Sequence, residues 1–199
     1  MDSMRYFAGA EVSWAQSHVS QGDRDVTLDD AYDGAEGIGS IAGDRLAAYY
    51  VFTNGVTAHF ESRPADPEAG VNSRSFGFEA HGTKGILSLR NSPNGEMYIH
   101  RHGMFIPDGT VAWERVLIDD WEAIPPGDRT HHSNLMIVRE LLAAIEQDRN
   151  VIEASSGADA LAALEMVMAV HESQRVKGRV SFPMSNRENP YDVWRRETS

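Results

Sequence analysis

The groups in this sequence that could do chemistry are histidines, carboxylates, arginines and tyrosines; it has eight histidines and no cysteine. His100 and His102 stand two apart, so on a strand they share one face, a spacing that two ligands of one metal ion can use. His131 and His132 precede a helical stretch. Neither group has carboxylates at a recognisable ligand spacing, so solvated or hydrogen-bonded histidines are the preferred reading and no metal ligand is assigned. His171 falls on an apolar helical stripe and is read as a core-edge histidine that lines a site only if a carboxylate or substrate meets its ring. Arg45, Tyr50 and His59 lie on or near one face of a hairpin and suit a hydroxylated or anionic small molecule, though contact between subunits explains them equally well. With Arg5, near the start, these make five substrate-side candidates: Arg5, Arg45, Tyr50, His59 and His171. No residue is assigned a catalytic role.

Other chemistries lack their motifs. Without cysteine there are no disulfides, thiolate zinc sites, iron–sulfur clusters or cysteine nucleophiles, and a reducing cytoplasm fits. There is no Gly-x-Gly-x-x-Gly after a strand, no Gly-x-x-x-x-Gly-Lys, no Gly-x-Ser-x-Gly and no His-Glu-x-x-His. Gly37-Ile38-Gly39 is glycine-rich, but no helix pattern opens behind it to meet a phosphate. The acidic stretch with Asp23, Asp25, Asp29 and Asp30 lacks the glycine and closing glutamate of a calcium loop. A formal charge of −12 argues against nucleic-acid backbones and anionic membranes, and no apolar run approaches the ~20 residues of a membrane span. At 199 residues, 41% hydrophobic and 24% charged, the chain suits one soluble globular domain.

The element expected to position the candidates is a β-hairpin over residues 44–63, centred on Asn54-Gly55, a dipeptide suited to a tight type I′ turn. Pairing Thr53 with Val56 puts Ala47, Tyr49, Val51, Thr53, Val56, Ala58 and Phe60 on a core face. Leu46, Tyr50, Phe52, Thr57, His59, Glu61 and Arg63 then form a mixed face, and a one-residue slip would exchange the two. Glu61 and Arg63 on that face read as a solvated pair.

Around the hairpin, Asp2 to Ala8 reads as a short helix stopped by Gly9, and its abruptness suggests a chain that starts partway through a helix. Glu11 to Ser20 reads as a strand, 22–34 as an exposed acidic connection, and Ala35 to Ala42 as a glycine-studded strand. A loop over 64–70 leads to strands at Ser73–His81, Ile86–Arg90, Met97–His100 and Val111–Ile118, with turns at Gly82–Gly85 and Asn91–Gly95. Pro125-Pro126-Gly127 ends the β-rich part.

From Ser133, Leu135, Val138, Leu141, Leu142 and Ile145 recur at helical spacing to about Asp148. Ser156 and Asp159 form a capping box for a second helix carrying Leu161, Leu164, Met168 and His171, which ends near Gly178. Arg179 to Met184 closes as a strand before a polar tail. Strands followed by paired helices define an α+β fold: an open, mainly antiparallel sheet with helices packed on one face.

The ordered set of segments resembles a family. Gly43-Asp44-Arg45-Leu46 entering the hairpin and Gly82-Thr83-Lys84-Gly85 are similar to segments of the C-terminal domain of Gfo/Idh/MocA-type NAD(P)-dependent oxidoreductases. So are Asn134 opening a helix to Ala144-Ile145, Arg149, Ser156-Gly157-x-Asp159-Ala160, Leu164-Glu165 and Val170-His171-Glu172-Ser173. The resemblance covers nearly the whole chain. It implies one domain over 1–199, with 1–9 the remnant of a linking helix, 10–184 the sheet with two long helices, and 185–199 a polar tail.

In the complete enzymes of the family, an N-terminal Rossmann domain holds NAD or NADP, and the C-terminal sheet covers the substrate and builds dimers or tetramers. Substrates are sugars, inositols and related polyols, oxidised by hydride transfer with a lysine from Glu-Lys-Pro and an Asp-x-x-x-His pair. Asp2 matches an aspartate that stands three residues after that histidine, so the histidine's position falls before Met1. The glycine fingerprint, Glu-Lys-Pro and Asp-x-x-x-His are all missing, so no cofactor is expected on this chain alone.

The expectation is therefore the substrate-covering and oligomerisation part of such an enzyme, cytoplasmic and inactive alone. Its expected partners are a Rossmann cofactor domain (fused or separate), a small sugar or polyol, and further copies of itself through the sheet face, with no nucleic acid and no membrane. The alternative is a stand-alone, non-catalytic dimeric binding or structural module of the same fold. A third reading, a metal-dependent enzyme built on His100 and His102, requires a bound metal.

Overall fold

The computed structural model describes residues 1–64, 76–91, 96–103, 106–151 and 154–199. The first elements are α1 (Asp2–Ala8), β1 (Val12–Gln21), β2 (Arg24–Asp25), β3 (Tyr32–Asp33), β4 (Ser40–Ile41), β5 (Arg45–Phe52) and β6 (Thr57–Ser62). After them come β7 (Phe76–Gly82), β8 (Gly85–Asn91), β9 (Glu96–His100), β10 (Glu114–Val116), α2 (Asp119–Glu122) and α3 (Arg129–Glu146). The chain closes with α4 (Gly157–Val176), β11 (Val180–Ser181) and α5 (Pro190–Thr198). The class is α+β with open, antiparallel sheets. Its strands divide between a five-stranded sheet, a four-stranded sheet and the β3–β4 ladder, where one sheet was expected. Two compact units result: Met1–Pro64 with Ser155–Ser199, and Ala65–Ala154.

In the first unit the strand order is β11-β1-β5-β6, with β2 also on β1. The hairpin forms where expected, but its register is corrected by one residue. Tyr50 pairs with Ala58 and Val51 with Thr57, and Phe52 N donates to Val56 O, so Thr53, Asn54 and Gly55 form a three-residue loop. Gly55 at φ 85° is its single left-handed residue, whereas a type I′ turn would need Asn54 there too. The Asn54 side chain is spent on the loop itself, with Oδ1 accepting from Val56 N, and on α1, with Nδ2 donating to Ala8 O.

The longer loop exchanges the faces of β5 but not of β6. Ala48, Tyr50 and Phe52 are buried, at 4%, 0% and 1% exposure, on the face that also carries Ala58 and Phe60. Ala47, Tyr49 and Val51 turn outward with Thr57, His59 and Glu61. Ala15 and Val19 of β1 and Val180 of β11 complete the inner face.

Helix α4 covers that inner face. Its capping box forms as read: Asp159 N donates to Ser156 Oγ at 3.2 Å and Ser156 N to Asp159 Oδ2 at 2.9 Å. The stripe is different, however. Met166, Ala169, Val170 and Ser173 are buried at i, i+3, i+4 and i+7, and His171, Glu172 and Gln174 are buried beside them, while Leu161 and Leu164 are 63% and 55% exposed. Small residues meet the sheet because strand and helix approach closely enough for polar bonds between them. Ser17 N donates to Ser173 Oγ (2.9 Å), Ser17 Oγ to Val170 O (2.5 Å) and Val19 N to Gln174 Oε1 (3.0 Å).

Between its short pairings with β11 and β2, β1 has no strand on this side among the described residues, and α4 supplies acceptors for its amides. At the chain's end, residues 190–198 are helix α5 rather than a tail. Asn189 caps it, and Pro190 and Tyr191 are buried among polar neighbours that hide the signal in the sequence.

In the second unit the order is β10-β9-β8-β7. The turn at Gly82–Gly85 forms as read, with Gly82 paired to Gly85 across a two-residue loop. β10 is shorter than the Val111–Ile118 expectation, and α3 opens at Arg129, four residues before Ser133. Leu135, Val138, Leu141, Leu142 and Ile145 all lie on α3, at 39–67% exposure. Most of the expected loop at 64–70, the start of the Ser73 strand and most of the Asn91–Gly95 turn lie outside the described residues.

Candidate functional site

Arg5 joins three carboxylates. Its Nη1 donates to Asp2 Oδ1 and Asp159 Oδ1, both at 3.1 Å, and its Nε and Nη2 bind the two oxygens of Glu11. Ser155 Oγ also donates to Asp2. Helix α1 is thereby clipped to the first turn of α4 and to the start of β1. The hydrogen bonds to Glu11, then Asp159, raise the Arg5 pKa further above its ordinary value. Asp159 falls to about 2, through its bonds to Ser156 first and Arg5 second. A guanidinium occupied in this way holds the fold rather than a free anion.

The hairpin candidates separate. Tyr50, expected on the mixed face, stands on the buried one and donates to Met166 O at 2.9 Å; burial raises its pKa. Arg45 is exposed near Asp23 at 3.7 Å. Asp44, beside it in the resembling segment, accepts from Gly22 N and Gln21 Nε2, tying the β1–β2 turn.

His59 lies on the outer face in a row that sequence reading missed. Arg179 sits 4.0 Å from the Trp14 ring centre, Trp14 lies 5.7 Å from Tyr49, and Tyr49 meets His59 edge-on at 4.8 Å. These four side chains cross one face of the sheet, each from its own strand or the residue beside it. Only correct register reveals the row, because Trp14 is placed by a bulge between Val12 and Trp14.

His171 is 9% exposed, with Nδ1 3.0 Å from the hydroxyl of Tyr191 on α5. Burial lowers its pKa from the ordinary 6.5 and raises that of Tyr191. Its neighbour Glu172 is held by Arg175 and Asn186, and Glu165, also in the resembling segments, accepts from Met184 N and pairs with Arg187. No hydrogen bond, ion pair or ring contact among the described residues joins any two of Arg5, Arg45, Tyr50, His59 and His171.

In the second unit, His100 is fully buried and packs on Trp113 at 5.3 Å. No group of three or more potential metal ligands occurs among the described residues. Among the described residues, neither the Gly37–Gly39 stretch nor the start of α4 is built as a dinucleotide cradle. Gly37 ends a single 3-10 turn and Gly39 precedes two-residue β4. The first turn of α4 carries Asp159, whose charge opposes a phosphate. No helix long and apolar enough to cross a membrane occurs among the described residues.

The fold is that of Gfo/Idh/MocA-type oxidoreductases over about half of their length. A levoglucosan dehydrogenase solved with NADH and levoglucosan superposes with a TM-score of 0.63 at 18% identity, over 92% of this chain and 48% of that one. An oxidoreductase domain protein from Kribbella flavida gives 0.62 and 16%, over 92% and 47%. The super-repressor mutant of Gal80p from Saccharomyces cerevisiae gives 0.55 and 12%, over 90% and 46%. No family profile and no curated protein matches the sequence.

Proposed function

We propose that this chain is the substrate-covering and oligomerisation part of a cytoplasmic sugar or polyol dehydrogenase of Gfo/Idh/MocA type. NAD or NADP and the reactive lysine and histidine then belong to a nucleotide-binding part, fused or separate. One observation carries the reading: the fold match takes in 92% of this chain but only 47–48% of the two solved oxidoreductase chains. The row from Arg179 to His59 supports a role for the outer sheet face in self-association, since aromatic residues and arginine are enriched at such contacts.

Calorimetry of the purified chain with NADH and NADPH tests the proposal, with no binding expected. Binding by this chain alone, or oxidation of any polyol by it unaided, overturns the reading. A reading frame for a nucleotide-binding fold joined to or beside this one supports it.

The likeness to Gal80p, a protein solved as a super-repressor mutant, favours the second reading, a non-catalytic dimeric module. Sedimentation separates that reading from a simple monomer, and a genomic neighbourhood without a nucleotide-binding frame favours it.

A further inference from the structure

We propose that His100 and His102 form a two-imidazole site for a divalent transition-metal ion, zinc in the first instance. His100 Nε2 lies 3.2 Å from the main-chain oxygen of Asp108. A carbonyl can only accept, so in the neutral ring the hydrogen sits on Nε2 and Nδ1 carries a bare lone pair. His102 turns the same nitrogen toward the same residue, its Nε2 3.8 Å from Asp108 Oδ2. In both rings Nδ1 is buried without a hydrogen-bond partner among the described residues. Folded proteins rarely leave such atoms unpaired, because a buried lone pair without a partner forfeits its bonds to water. Here two of the same kind occur on neighbouring rings.

The surroundings fit metal ligation. Ligating histidines characteristically give their other nitrogen to a carboxylate or carbonyl, and Asp108 offers one of each. Its carboxylate is fixed in turn by Thr110 N at 2.8 Å and Thr110 Oγ1 at 2.7 Å. The ring centres are 6.1 Å apart. A tetrahedral ion bonded to one nitrogen of each ring at about 2.0–2.1 Å holds the centres roughly 5–5.5 Å apart, so binding draws the two rings somewhat closer together.

The backbone beneath is held closely. A Cβ on Gly85 would strike His100 O, and one on Gly103 would strike Thr83 O, so the 82–85 turn presses directly on the segment that carries both rings. Two protein ligands leave the remaining coordination positions to water that enters with the ion. Reading the sequence alone found both histidines but not Asp108, seen only once the loop folds back.

Titrating the chelator-treated full chain with zinc chloride, followed by calorimetry and by ¹⁵N signals of the histidine rings, tests the site. One ion per chain is expected, with the Nδ1 signals of His100 and His102 moving together. His102→Gln abolishes the binding, Asp108→Asn weakens it roughly 10–100-fold, and the paired substitutions His131→Gln and His132→Gln leave it unchanged. Because buried His100 is needed for packing, the ring signals of the unaltered chain supply the test at that residue. No zinc-dependent shift at the two rings, as expected if a single water bridges the lone pairs, overturns the proposal, as does binding that survives His102→Gln.

Discussion

The two faces of the five-stranded sheet are built from alternate residues of the same strands, yet they do different work. The inner face, with Ala15, Val19, Ala48, Tyr50 and Phe52, is closed by α4 and decides stability. The outer face, with Trp14, Tyr49, His59 and Arg179, is half-buried or exposed and contributes little to the core. The difference teaches that a polar tip on a hairpin side chain does not by itself place it on an accessible face. Tyr50, the largest polar side chain of the inner face, packs against α4 with one hydrogen bond.

The largest effect expected is from Phe52→Ala, which empties a site that is 1% exposed. It should cost about 3–5 kcal/mol in urea unfolding, and a loss below about 1 kcal/mol would break the inner-face assignment. Next comes acid sensitivity at His171, which fastens α4 to α5. Its folded pKa lies below the unfolded value of 6.5, so the unfolded chain binds the extra proton first. Stability is full above that value and falls as the pH drops through it toward the folded pKa, by at most about 1.4 kcal/mol per pH unit. In His171→Gln the slope of stability between pH 7.5 and 5.5 should flatten, whereas the carboxylate contribution of Asp159 is lost only in stronger acid, toward about 2.

A third change, Tyr50→Phe, removes only the bond to Met166 O and should cost about 1 kcal/mol. The smallest effect on folding is expected at the outer face. Tyr49→Ala should change stability by about 0.2–1 kcal/mol while lowering the sedimentation coefficient if that face joins copies. An unchanged coefficient in a chain that does associate would move the contact elsewhere and sharpen the division between the faces.

Legibility followed how local the physics is. Helix α1 with its stop at Gly9, the Ser156–Asp159 box and the Gly82–Gly85 turn are each decided within a few residues, and all three are readable. The hairpin register is not, because Asn54 can serve a two-residue or a three-residue loop, and its bond to Ala8 is tertiary. That single residue of parity moved Tyr50 inward and Tyr49 outward while leaving Ala58, His59 and Phe60 as read. On α4, residue size points to Leu161 and Leu164 as the contact stripe, but close approach to β1 selects Ala169 and Ser173 instead. Of the five substrate-side candidates, Arg5 and His171 are hydrogen-bonded fasteners between elements, which residue type alone does not distinguish from ligand-binding groups.

The bonds from Ser17 and Val19 to Ser173 and Gln174 have a consequence for assembly. An open row of strand amides is a template for another chain, the first step toward runaway β-stacking. Along the middle of β1 those amides already end on helix side chains, so a foreign strand arriving there finds no donors to grip. A serine and a glutamine therefore guard this margin of the sheet against fibre growth, a task more often given to lysine or proline.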